Sequence, residues 1–398
     1  MGNENWKRKF SAIYTGQFFS LLSSAAVQFS IIWWLTDSTG GSPLVLTMAG
    51  LAGFLPQALV GPFAGTITDR YSRKLMMILS DMTVALGSLL LFTTMFFNEP
   101  SILLVIFVLV IRSLATAFHM PAMQASVPLL APEEHLTKVA GWGQTVSSIS
   151  NIAGPAVGMS LLAVSSIEWV LLLDVFGAVI ASSILLFIHI PRVPRTEEKV
   201  SSSFITEMKE GYHAIVKRPV VLKLTITMTI VALLFIPLGT YFPLMTLKSF
   251  EKGVVEAGIV EIVFAIGLIV GGSLLGVLGD RFNKVKMMAT GMMLMGATLF
   301  ISGLLPSSFF YAFIVLAGLV GLSGPFFSAP FYALIQTEIE PQLLGRVFSF
   351  VTSLSLLATP VGYLVAGVLI ELTNVATLFS LTGILIVINA VITWKAAK

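Results

Sequence analysis

Runs of more than about 18 apolar residues recur from one end of this 398-residue chain to the other. An α-helix needs that length to cross a hydrocarbon core of about 30 Å at 1.5 Å per residue. In lipid the backbone has to satisfy its own hydrogen bonds, so such runs can only be helices, and a barrel would show short alternating strands instead. Charged residues make up 11% of the chain, against roughly 25% in soluble domains. The first run, from Phe10 to Leu35, follows Lys7, Arg8 and Lys9 and is too long for a signal-peptide core, so it reads as the first span. With no cysteine, and with His119, His135, His189 and His213 far apart, there is no metal-ligand pattern and no disulfide.

Charge, proline and glycine punctuation divides the chain into about twelve spans, at 10–36, 43–66, 74–97, 101–129, 137–165, 169–190, 219–247, 255–279, 286–305, 308–337, 343–370 and 374–395. The expected fold class is all-α, with twelve transmembrane helices in two parallel six-helix lobes. Those lobes are 1–190 and 219–398, joined by a polar cytoplasmic linker over 191–218. Within the linker Phe204, Ile205, Met208, Tyr212 and Ile215 fall at helical spacing, which fits either an amphipathic helix at the membrane surface or a solvated tether. With the amino terminus inside, 20 of the 23 Lys and Arg residues fall in cytoplasmic segments. That bias puts both termini in the cytoplasm. The net charge of +3 is then a topology signal and gives no reason to expect nucleic acid as a partner.

The two halves resemble each other. "GTITDRYSRK" after the second span is matched by "GVLGDRFNKVK" after the eighth, and "GPAVG" in the fifth by "TPVG" in the eleventh. Repeated six-helix halves joined by a long loop describe a secondary transporter that rocks one half against the other. In such a machine the recurring bend suits a gating latch. Gly65 allows close approach, Asp69 can accept hydrogen bonds from helix N-termini or arginine, and Arg70, Arg73 and Lys74 can bind carboxylates or anionic lipid heads; Asp280 and Arg281 repeat the pair.

These residues carry a family resemblance. "GTITDRYSRK" resembles motif A of the major facilitator superfamily, with Ser72 in place of the usual glycine. Gly154, Pro155 and Gly158, preceded by Gly141, are similar to motif C of its drug antiporters. Arg112 in "VIRSLATAF" stands where motif B has its arginine, without the Gln and Gly that usually follow. The segments "NWKRKFSAIYTGQFFSLLSSA", "GFLPQALVGP", "VPLLAPEEHLTKVAG", "DVFGAVIAS" and "LLGRVFS" resemble the macrolide-efflux branch over nearly the whole chain. The resemblance implies a monomeric, proton-coupled exporter of amphipathic antibiotics in a bacterial inner membrane. Protons, drug and membrane lipids would be its partners; it would have no cofactor and no enzymatic activity. An exporter of an endogenous siderophore or sugar, and a gradient-independent lipid flippase, are the alternatives. No ATP-binding loop of the G-x-x-x-x-G-K-[ST] kind is present.

Ionisable groups within spans cost at least about 2.5–3.5 kcal/mol each on insertion scales, so each needs a partner or a purpose. Arg112 lies near the midplane and stays protonated, so it cannot itself titrate. Its expected role is to bias a carboxylate or bond a backbone carbonyl, and the resemblance implies proton coupling. Asp174 and Glu261, each about two turns below the outer surface, are the candidate proton carriers, together with Asp81, for which a place in the latch is preferred. Gly154 and Gly158 line one helix face with Ser150, and Pro155 bends the helix; the resemblance implies a seal on the outward side. For the drug, Gln17, Gln28, Trp33, Trp34 and Asn151 are candidate contacts, chosen from composition alone.

Overall fold

The apolar runs form helices because nothing else satisfies their backbone in lipid. In the computed structural model, residues 5–98, 100–130, 136–188, 190, 204–278, 283–340 and 343–395 are described, and among them there is no strand. The chain divides into two compact units, Met1–Leu35 with Leu51–Val200, and Thr36–Gly50 with Ser201–Lys398. Residues 65–70 and 141 lie in helices but are described in backbone only, and Asp280 and Arg281 fall outside the described residues.

The helices of the first half are α1 (Asn5–Ser38), α2 (Pro43–Arg70), α3 (Arg73–Phe97), α4 (Ile102–Leu130), α5 (Leu136–Val164) and α6 (Ile167–Phe187). After them come α7 (Phe204–Val216), α8 (Pro219–Phe235), α9 (Leu238–Phe250), α10 (Val254–Leu278), α11 (Lys284–Leu304), α12 (Phe310–Glu338), α13 (Leu344–Leu372) and α14 (Val375–Lys395). Taking α8 and α9 as one crossing, eleven stretches among the described residues are long and apolar enough to span a membrane. The twelfth is α5, whose described apolar part is Ile149–Val164. Twelve crossings in two sets of six follow.

Local sequence explains the ends and breaks. Ser72 caps α3, its hydroxyl accepting from Leu75 N, and Asn283, at the equivalent place in the second half, caps α11 by accepting from Lys286 N at 3.1 Å. The departure of Ser72 from the family's glycine therefore has a structural role, since Ser and Asn are preferred N-caps and glycine offers no side-chain acceptor. The expected single span over 219–247 is interrupted: α8 ends at Phe235 and α9 starts at Leu238, with Pro237 between them. Proline lacks an N–H and clashes with the preceding turn, which accounts for the break. Helix α13 passes close by at Gly362, where a Cβ would stand 2.9 Å from Pro237 Cγ.

Helix α7 is the linker helix read from the spacing of Phe204 to Ile215, and at 13 residues it is too short to span. It docks on α13. Ala214 and Ile215 are buried in a cluster with Val221, Leu224, Val347 and Val351, and Glu210 pairs with Arg346 at 2.5 Å. Residues 36–50 also belong to the second unit: Thr47 Oγ1 lies 2.8 Å from the Tyr241 hydroxyl, and Thr240 Oγ1 lies 2.7 Å from that of Tyr363.

Candidate functional site

The first unit holds its buried charge in two tiers. The upper tier gathers four helices. Arg112 of α4 forms an ion pair with Asp174 of α6, and the two side chains are 7% and 0% exposed. Ser88 of α3 donates to Asp174 Oδ2 at 2.6 Å, and Ser24 of α1 donates to Oδ1 at 3.0 Å. Arg112 in turn donates to Ser88 Oγ at 3.0 Å and, through Nη2, to the Ser24 carbonyl at 3.2 Å. A carboxylate with three donors and a guanidinium with three acceptors offset much of the cost of holding such charges away from water, and Arg112 Nε is left without a partner. Arg112 reaches Asp174 because side chains tilt toward their helix N-terminus, and its long stem spans the difference in depth between the two helices.

The lower tier lies seven residues along. Asp81 of α3 precedes Ser88 by seven residues and His119 of α4 follows Arg112 by seven, so each sits two turns away on the same helix face. Ser20 of α1 donates to Asp81 Oδ1 at 2.9 Å, and His119 Nε2 lies 3.4 Å from the same oxygen. Asp81 Oδ2 has no hydrogen-bond partner, and neither atom of the Gln17 amide, one turn before Ser20, has one. Gln17 is fully buried.

Below this tier Arg73 donates to the Ala125 carbonyl at 2.6 Å, and Lys74 to the carbonyls of Leu186 and Ile188 at 2.8 and 3.1 Å. These two latch candidates thus tie the start of α3 to the ends of α4 and α6. Tyr14, Met77, Ala122, Met123, Leu185 and Ile188 form the apolar layer among these ends.

The glycines of α5 face α1. A Cβ on Gly158 would stand 2.6 Å from the Ala26 carbonyl oxygen and 3.0 Å from Ser30 Oγ, and one on Gly154 would stand 2.9 Å from the carbonyl carbon of Ala25. Small residues at this spacing let two helix backbones meet. Pro155 lies between them inside the helix, and Ser150 is buried on the same helix with its hydroxyl unpartnered.

The sequence candidates are therefore distributed as follows. Arg112 and Asp174 come together, whereas Asp81 faces Ser20 and His119. Glu261, on α10, belongs to the second unit and stands half-buried there. Among the drug-contact candidates Gln17 is sealed in the lower tier, Trp33 is buried, Gln28 and Trp34 are half-buried and Asn151 is exposed. Sequence reasoning missed His119 and the serines at 20, 24 and 88. The available signal was the heptad offset between Arg112 and His119 and between Asp81 and Ser88.

The sequence matches the profile of the Major Facilitator Superfamily over residues 13–260 and 238–397. Macrolide efflux protein A of Streptococcus pyogenes is 40% identical over 388 residues, 98% of this chain and 96% of that protein. Macrolide efflux protein A of Enterococcus faecalis is 41% identical over 322 residues, 81% of this chain and 99% of that one. The fold is similar to the crystal structure of a bacterial homologue of the iron transporter ferroportin, with a TM-score of 0.74 at 14% identity, covering 97% of this chain and 98% of that one. With its twelve crossings, a family profile matched over residues 13–260 and 238–397 and a relative 40% identical over 98% of its length, the chain belongs to the major facilitator superfamily.

Proposed function

We propose that this transporter exports amphipathic antibiotics of the macrolide class in exchange for protons, and that Asp174 carries the proton. The observation that supports coupling most directly is the buried Arg112–Asp174 pair, which joins α4 to α6 and, through Ser24 and Ser88, to α1 and α3. Arginine keeps its charge at any physiological pH, so the carboxyl is the member that can change state. A proton on Asp174 removes the attraction across the pair, while Arg112 keeps its bonds to Ser88 and to the Ser24 carbonyl. The four helices are then free to shift against one another. Loss of the proton on the other side restores the pair, and the cycle couples proton entry to drug exit.

The substrate class rests on the 40% identity to a protein named for macrolide efflux. The orientation in this reading, with both termini in the cytoplasm of a bacterial cell, is supported by the distribution of basic residues. In this reading Arg73 and Lys74 secure the cytoplasmic end of the first lobe as part of the motif A latch, and Gly154 and Gly158 seal its outer half. The test is efflux of a labelled macrolide from energised cells, with and without a protonophore, for the wild type and Asp174→Asn. Protonophore-sensitive efflux that Asp174→Asn abolishes is expected. Efflux unaffected by the protonophore would refute coupling, and unchanged macrolide sensitivity with secretion of a native metabolite would refute the substrate.

A further inference from the structure

We propose that His119 and Asp81 form a second proton station, which takes the proton released by the Arg112–Asp174 pair and passes it to the end of the first unit that carries Arg73 and Lys74. This rests on the proton-coupled reading above and extends it to residues outside motifs A, B and C.

The first ground is register. Two turns of α3 separate Asp81 from Ser88 and two turns of α4 separate Arg112 from His119, so the tiers stand about 10 Å apart along both helices. The second is the face of α1 that runs past both, where Ser24 is bonded to the upper acid, Ser20 to the lower, and Gln17 follows one turn beyond Ser20 on the far side of the lower tier. The third is incomplete satisfaction: Asp81 Oδ2, His119 Nε2 and both Gln17 amide atoms have no hydrogen-bond partner, where most buried polar atoms have one. An uncommitted carboxylate oxygen beside an imidazole is equipped to take up and hand on a proton.

In the proposed step the Asp174 carboxyl gives up its proton and becomes the carboxylate that re-forms the pair with Arg112. The proton crosses the gap by water ordered along Ser24 and Ser20, since about 10 Å is too far for one transfer. The His119–Asp81 pair accepts it, the imidazolium being held by the adjacent carboxylate at 3.4 Å. Release toward the Arg73–Lys74 turn returns the station to its starting charge. Among the described residues, Asp81 on α3 faces His119 directly, and the other titratable and charged groups on these helices are Tyr14 on α1, Arg112 on its own helix and Asp174 on α6, with Arg73 and Lys74 at the start of α3. The two cations there favour departure of the proton over its return.

The test is macrolide transport by purified protein in liposomes, with the pH on the cytoplasmic side varied over about 6 to 8. Wild type is expected to slow as that side is acidified. His119→Gln is expected to lose at least tenfold in rate and to flatten the profile, while eluting as wild type does on size exclusion. Ser20→Ala, which removes only the hydroxyl donated to Asp81, is expected to displace the midpoint, and it decides the matter if His119→Gln does not fold. A wild type without pH dependence would overturn the coupling reading as a whole. A coupled wild type with His119→Gln slowed equally at every pH, or with Ser20→Ala at an unmoved midpoint, would overturn the second station alone.

Discussion

Removing either member of the Arg112–Asp174 pair should unfold the protein more easily, and removing both should cost less than removing one. Both side chains are nearly inaccessible, and breaking a buried pair typically costs about 3–5 kcal/mol because the survivor is left as an uncompensated charge. The two single substitutions should differ. In Arg112→Met the surviving carboxyl keeps its hydroxyl donors Ser24 and Ser88 and can take a proton, which puts the cost near the lower end, about 3 kcal/mol. In Asp174→Leu the surviving guanidinium cannot deprotonate and keeps only Ser88 Oγ and one backbone carbonyl, so the cost moves to about 5 kcal/mol. The double variant buries no charge and should lie closer to wild type than either single, while exporting nothing. Unfolding in mixed detergent micelles, followed by the fluorescence of the six tryptophans, gives these differences; about 1.4 kcal/mol is tenfold in the equilibrium. Additive costs in the double variant, or an Arg112→Met protein as stable as wild type, would refute the argument.

Gly158→Ala should destabilise by about 1–3 kcal/mol and cut export, because the new methyl meets the Ala26 carbonyl, a backbone atom that cannot yield. Gly53→Ala, whose Cβ would meet nothing within 4 Å, should leave the same unfolding curve unchanged or raise it by up to about 1 kcal/mol. At the linker helix, Glu210→Gln should change stability by less than about 1 kcal/mol, since both partners of its ion pair with Arg346 are well exposed. Ile215→Asp, which puts a charge at a site with no exposure, should release α7 from α13, seen as a new protease-sensitive site in the linker.

The helices were legible in the sequence because membrane thickness dictates run length, and the linker helix was legible because its apolar residues keep helical spacing. What α7 packs on was not, since Arg346, Val347 and Val351 lie far along the chain and nothing local points to them. The break at Ile236–Pro237 was hidden inside a run whose hydropathy never falters. For the site, Arg112 stands out in the sequence as a lone cation in a span, whereas Asp174 reads as nearer the outer surface. Counting residues from each helix start ignores both the tilt of side chains toward the N-terminus and the length of the arginine stem, which together close that gap. Asp81 lies eight residues past the start of α3, two turns away from the loop, and faces Ser20 of α1 and His119 of α4, contacts that no local pattern announces. The drug-contact candidates were read from composition, which says nothing of facing, and Gln17 proves to be enclosed.

The central claim, exchange of drug for protons, is tested most directly by reciprocal flux in sealed proteoliposomes containing a pH-sensitive dye. A macrolide gradient imposed without any pH difference should drive protons in the opposite direction, in fixed proportion to the drug moved, and Asp174→Asn should abolish the proton signal. Drug crossing with no accompanying proton movement would contradict the account.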